Sequence, residues 1–310
     1  MMHEEEAIIQ VKHLVKKYGA FTAVKGIDFN VHKGEVFGVL GPNGAGKTTT
    51  LEMLVGLRKP DEGTGIIGGF DISRDIKKVK EVIGVQLQST TLFELLTVEE
   101  ILQLYGSFYR KQVDILTLID DMILSDKRKS RIKSLSGGQK QRLAIALALI
   151  HDPLIIFLDE PTTGLDPQAR RTLWDIILKL KESGKTIVLT THYMDEAHVL
   201  CDRIAIMDQG NLIALDTPSQ LVKSLQSDSA VEFRFQHESD EMDMTKVEGV
   251  KQVGREKDAY VLYTDDLQAT LTSLIGEASE KQLKLTDLKT RTATLEDVFI
   301  HMTGRSLREE

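Results

Sequence analysis

Short, uniformly apolar runs alternate with amphipathic stretches along the first two thirds of the chain. Residues 36–40, Val-Phe-Gly-Val-Leu, lead into a glycine-rich turn, and a helical pattern follows over residues 47–56. The same grammar recurs at 154–158, 186–191 and 203–208. Runs this short, separated by helices, predict parallel strands buried on both faces of an α/β sheet. The helix after Asp166-Pro167 is signed at its start: Asp166 suits the N-cap and Pro167 the first turn. Leu173, Ile176, Ile177 and Leu180 then form one apolar face, and Trp174 is expected to serve packing.

Between residues 89 and 133 the texture changes. Thr97-Val-Glu-Glu100 reads as a capping box, with helical periodicity through Leu104 and Phe108 and a second helix over 112–124. This predicts a helical insertion between sheet elements. After Ser224 the pattern becomes polar and alternating, with strands at 231–235, 250–253 and 260–263, helices at 267–278 and 295–302, and a strand-like 283–288. Two domains are expected, 7–225 and a small α+β unit at 229–304, without internal repeats.

Composition narrows the function classes. An apolar fraction of 41% and a charged fraction of 28% are ordinary for a soluble globular chain. A net charge of −8 argues against broad nucleic-acid binding, which needs basic surface to displace counterions. The single cysteine, Cys201, excludes an internal disulfide framework and reads as a small buried hydrophobe. Residues 1–6 are acidic and do not form a signal peptide. The longest apolar stretch, 143–150, stops at His151-Asp152-Pro153, short of the about 20 residues a bilayer requires. A transport role would need another chain to supply the path.

Gly41-Pro42-Asn43-Gly44-Ala45-Gly46-Lys47-Thr48 has the spacing of a phosphate-binding loop, at a strand-to-helix junction. Glycines let successive backbone N–H groups turn toward phosphate oxygens, and the helix adds its positive end. Lys47 supplies a point charge for the β- and γ-phosphates and Thr48 a hydroxyl for Mg²⁺. Residues 154–160, Leu-Ile-Ile-Phe-Leu-Asp-Glu, end in two carboxylates. Strand neighbours point oppositely, so one carboxylate can face a metal ion while the next faces an attacking water. His192 follows the 186–191 strand and is expected on the same carboxyl edge, against the γ-phosphate. Gln88 closes the run 83–88 as a further candidate, with Gln86 as its rival.

These residues, with Leu135-Ser136-Gly137-Gly138-Gln139 twenty positions before Asp159, resemble the ABC ATPase family. The pattern continues through Glu160-Pro-Thr-Thr-Gly-Leu-Asp166, similar to the family's D-loop, and Thr191-His192, similar to its switch histidine. Tyr18 resembles the aromatic that stacks on adenine. The match spans residues 8–225. It implies a P-loop core, mostly parallel with antiparallel N-terminal strands, that binds ATP and Mg²⁺. Lys47, Thr48, Thr49 and the loop glycines would cradle the phosphates, and Thr48, Gln88 and Asp159 would hold the metal or its waters. Glu160 would be the general base, and His192 would steady the γ-phosphate and the water, with Gln88 completing the catalytic set. Ser136 and Gly138 would serve the nucleotide of a second copy in a head-to-tail homodimer.

The tail 294–299, Thr-Leu-Glu-Asp-Val-Phe, then Met302-Thr-Gly-Arg305, resembles the C-terminal domain of ABC-2-type exporter ATPases, with Leu295, Val298 and Phe299 filling a small core. The resemblance implies export through a separate membrane permease and a cytoplasmic, peripheral location. The rival readings carry other sequence features. DNA-maintenance relatives insert coiled coils or zinc sites between loop and signature, whereas residues 49–134 hold neither heptads nor cysteine. Soluble translation-type regulators resemble tandem duplicated cores, and this chain has one.

Overall fold

A computed structural model describes residues 7–88, 92–225, 227, 229–237, 242–256 and 258–303. The chain divides into two compact units, Met1–Leu215 and Asp216–Glu310.

The first unit opens with a long antiparallel hairpin, β1 (Ala7–Tyr18) and β2 (Phe21–His32). Its buried face uses Ile9, Val11 and Leu14, a spacing that breaks strict alternation. A bulge absorbs the extra residue: His13 has φ +48° and the register with β2 shifts between Val11 and Leu14, so the apolar side chains stay inward. The His13 ring fills the space over Gly26, where a Cβ would stand 2.7 Å from it. β3 (Val36–Leu40) and α1 (Lys47–Leu54) follow. Then β4 (Glu62–Ile67) and β5 (Phe70–Asp71) return to β1 in a sheet of order β2-β1-β4-β5.

After α2 (Ile76–Val82), β6 (Ile83–Gln86) joins a second, six-stranded sheet. Helices α3 (Val98–Gly106), α4 (Ile115–Asp121) and α5 (Gly137–Leu149) come next. Beyond them run β7 (Ile155–Asp159), α6 (Pro167–Glu182), β8 (Thr186–Thr191), α7 (Met194–Leu200), β9 (Arg203–Asp208) and β10 (Asn211–Asp216). The sheet order is β10-β9-β3-β8-β7-β6, and β9, β3, β8, β7 and β6 pair in parallel as the apolar runs predict. Every residue of β3, β7 and β8 is buried, and Phe37, Phe157 and Val188 join the core that also takes the inner face of the hairpin.

The register positions the site. Leu40 pairs with Thr191, Asp159 with Thr190, and Leu158 with Gln86. The segments after β3, β6, β7 and β8 therefore leave one carboxyl edge together, where ligands of open parallel sheets bind.

In the helical segment the Thr97 capping box forms with both its hydrogen bonds. α4 is shorter than the predicted 112–124. Asp114 captures the Thr117 N–H at 2.8 Å and starts it there, and Ile123, at φ +54°, stands in a backbone conformation no helix continues through.

In the second unit, α8 (Pro218–Lys223) precedes β11 (Ser229–Phe235), β12 (Val250–Glu256), β13 (Ala259–Thr264), α9 (Leu267–Glu280), β14 (Leu285–Thr292) and α10 (Leu295–Thr303). The strands form an antiparallel sheet of order β12-β13-β11-β14. The expected strand at 283–288 is placed two residues later and runs on to Thr292, because Leu285 to Thr292 is the stretch that pairs with β11. α8 packs against α10, and the division into compact units falls at Leu215. Leu295, Val298 and Phe299 of α10 are buried as expected, while Gly304 and Arg305 lie outside the described residues.

Candidate nucleotide site

The loop between β3 and α1 is held by contacts that require its glycines. A Cβ on Gly41 would meet the Met207 carbonyl oxygen at 2.2 Å, and Gly46 takes φ +102° against the Ala23 carbonyl. Gly44 also has positive φ, and Ala45, buried, donates its N–H to the Pro42 carbonyl at 3.2 Å. Asn43 is exposed, and Thr49 is half-buried in the first turn of α1.

Lys47 is almost wholly buried. Its Nζ donates to the carbonyls of Gly41 (2.8 Å) and Pro42 (3.1 Å) and stands 3.4 Å from Glu160 Oε1. Burial lowers its pKa, with the Glu160 and Asp159 carboxylates opposing. Thr48 donates to Asp159 Oδ1 at 3.2 Å. Burial raises the Asp159 pKa, against hydrogen bonds from Thr190 and Thr48.

Glu160 has φ +47°, uncommon for a side-chain-bearing residue and a mark of backbone held by its surroundings. Its carboxylate gathers four neighbours: His192 Nδ1 at 3.4 Å, Lys47, Gln88 Nε2 at 3.4 Å and Thr163 Oγ1 at 3.2 Å. His192, then Lys47, hold the carboxyl down to about 2 in spite of burial. Gln88 thus reaches the Glu160 carboxylate, while its rival Gln86 is buried and donates to the Leu87 carbonyl.

The structure adds a residue that sequence reasoning missed. Thr190 donates to Asp159 Oδ1 at 2.5 Å and accepts from the Glu160 N–H at 2.9 Å, fixing both carboxylates at once. The signal was a hydroxyl inside a fully buried parallel strand, where a polar group needs a partner.

Tyr18 is 40% exposed, its ring flanked by Lys16 and Arg58 at 5.6 and 5.5 Å from the centroid, an open aromatic face among cations. Ser136 and Gly138 make their contacts elsewhere. Ser136 caps α5 in a capping box with Gln139, and Gly138 lies so close to α6 that a Cβ would meet the Ala169 methyl at 2.9 Å. Trp174, expected to serve packing, also donates its Nε1–H to Glu196 Oε1 at 3.1 Å.

A phosphate loop, two carboxylates and a histidine on one edge of a parallel sheet define a P-loop nucleotide-hydrolysing cassette. The ABC transporter family profile matches residues 24–163. The linearmycin resistance ATP-binding protein LnrL of Bacillus subtilis (strain 168) is 35% identical, over 97% of this chain and all of that protein. The daunorubicin/doxorubicin resistance ATP-binding protein DrrA of Streptomyces peucetius is 38% identical, over 96% of this chain and 92% of its own. Among solved structures, a dimeric ATP-binding cassette in a post-hydrolysis state with ADP and Pi shares 31% identity and a TM-score of 0.61, covering 67% of this chain and 98% of its own. The chain belongs to the ATP-binding proteins of ABC transporters, and it is an ATPase. No helix among the described residues is long and apolar enough to cross a membrane.

Proposed function

We propose that this chain hydrolyses Mg-ATP in a head-to-tail homodimer and powers export through a separate membrane permease. The observation that carries the chemistry is the meeting of Lys47, Thr48, Asp159, Glu160 and His192 at one sheet edge. Whole-length similarity to resistance ATP-binding proteins, and to the Nod factor export ATP-binding protein I of Paraburkholderia xenovorans (38% identical over 98% of this chain), favours export.

The hard-oxygen pair Thr48 and Asp159 suits a magnesium ion, which takes few protein ligands and completes its shell with water and phosphate. When bound, the ion would neutralise charge on the phosphates. Lys47 exchanges its carbonyl partners and Glu160 for phosphate oxygens. Glu160, relieved of the cation, regains proton affinity and orients and deprotonates the attacking water. His192 and Gln88 hold that carboxylate in place, and the Tyr18 face takes the adenine. Ser136 and Gly138 complete the nucleotide site of the opposite copy.

The decisive experiment compares ATP binding and steady-state hydrolysis for the wild type and Glu160→Gln. Retained binding with turnover reduced by about 10²-fold or more is expected for loss of a positioned base. Equal turnover overturns the assignment. Membrane proteins that co-purify with the chain then test the permease.

A further inference from the structure

The fully buried Glu196 of α7 lies outside the residues assigned above, yet it sits where three parts of the site converge. Its Oε1 accepts from Trp174 on α6 at 3.1 Å. The hydroxyls of Thr191, directly before His192, and of Thr162, two residues after Glu160, face the same carboxyl. Thr191 is itself tied to α7, since its Oγ1 accepts the Tyr193 N–H at 3.0 Å. Thr162 Oγ1 and Glu196 Oε2 are both buried, and neither meets a hydrogen-bond partner at bonding geometry. A buried hydroxyl and a buried carboxyl oxygen left open cost stability that a small approach would recover.

We propose that Glu196 is a positioning residue for hydrolysis, closing a hydrogen bond to Thr162 in the nucleotide-bound state and so fixing Glu160 relative to His192. This rests on the roles given above to those two residues. Glu160, at φ +47°, leads directly into the segment that carries Thr162. Glu196, anchored by Trp174, stands beside Thr191 at the end of the His192 strand and beside Thr162. Closing the Thr162 bond would tie the segment after Glu160 to the strand that bears His192, whose Nδ1 stands 3.4 Å from Glu160 Oε2, without touching either. Misplacement by about 1 Å at a reacting centre lowers turnover by about 10²-fold. Burial raises the Glu196 pKa, which makes glutamine, a neutral donor and acceptor of the same shape, its fair substitute.

The test uses the purified full-length chain, measuring kcat, KM for ATP and melting temperature. Thr162→Val removes a hydroxyl that has no completed bond in this structure, so a merely structural role predicts no change in any of the three. The proposal predicts kcat lower by about tenfold or more with KM and melting temperature unchanged. Glu196→Ala should lower kcat similarly, Glu196→Gln should restore it to within about threefold, and Glu196→Gln should not rescue Thr162→Val. Thr162→Val with wild-type kcat, or with kcat and melting temperature falling together, overturns the proposal. Glu160→Gln, measured alongside, separates the two readings: if it is inactive while Thr162→Val is fully active, only the Glu196 proposal falls. If Glu160→Gln is fully active, the base assignment falls and this proposal with it.

Discussion

Single side chains at this site are held by partners that nucleotide must displace. Lys47 sits between two loop carbonyls and the Glu160 carboxylate, so the resting site neutralises its own strongest charges. The Glu160 pKa of about 2 has a consequence for acid stability. A carboxyl depressed on folding contributes stability above its unfolded pKa, near 4.5, and loses it as the pH falls toward 2. Denaturant unfolding of the wild type at pH 5 and pH 3 should therefore show a larger loss of stability than the same pair for Glu160→Gln, which has no proton to gain. Equal losses would mean that the carboxylate is not held by His192 and Lys47 in solution. In the second unit, Asp297 gives a sharper case. Burial pushes its pKa up, yet Arg291, Tyr263 and the Thr294 N–H together hold it below the ordinary carboxylate range. Its oxygens accept from Arg291 at 2.5 and 2.8 Å, Tyr263 at 2.7 Å and Thr294 N at 2.7 Å. Asp297→Ala should cost about 2 kcal/mol or more at neutral pH, because it removes the buried carboxylate that Arg291, Tyr263 and the Thr294 N–H share. The deficit should shrink as the pH falls below about 4, where the wild-type carboxylate is also lost.

At the scale of elements, the parts that could be read from the sequence were those with one dominant physical cause. The apolar strands 36–40 and 186–191, the Thr97 and Asp166 caps and the phosphate loop are local signals, and each forms where its residues indicated. What the sequence obscured depends on partners distant along the chain. The register of β14 is set by β11, which no local window weighs, whereas α4 is cut short by its own neighbours, Asp114 at its start and Ile123 beyond its end. Thr190 and Glu196 stayed hidden for the same reason, since an isolated Thr or Glu carries no spacing signature until its partner across the fold is known. The segment leading into α3 raises a test at this scale. Phe93 and Leu95 are 57% and 71% exposed, so they do not serve as core for the helices that follow; Ser89 to Thr91, which begin the segment, lie outside the described residues. The stretch follows Gln88, whose amide reaches Glu160, and its exposed apolar side chains suit a socket for a short permease helix. Phe93→Ala should leave melting temperature and basal ATPase near wild type while weakening permease association by about 2 kcal/mol and abolishing transport. A loss of several degrees together with ATPase would move the coupling surface elsewhere.

For the molecule as a whole, the unresolved division of labour is between one copy and two. Within one chain, the contacts around Lys47 involve Asp159, Glu160 and His192, while Ser136 is occupied with capping α5. A helix N-terminus capped by serine, beside a glycine pressed on α6, offers N–H groups and a hydroxyl to an incoming phosphate. In the head-to-tail homodimer proposed above, a second copy is the source of that phosphate. If so, ATPase should rise more than linearly with protein concentration while dimers are scarce. Mixing protomers then tests the geometry. Lys47→Ala removes the phosphate-binding charge from a protomer's own site, and Ser136→Arg blocks the site it lends to its neighbour. In a head-to-tail pair of one protomer of each kind, one composite site carries both lesions and the other carries neither. Each homodimer, by contrast, has a lesion in both sites. The mixture should therefore recover nucleotide binding at one site per heterodimer, measurable with a fluorescent ATP analogue, where either variant alone binds weakly. Binding by the Ser136→Arg protein alone at wild-type strength would show that each copy completes its own site.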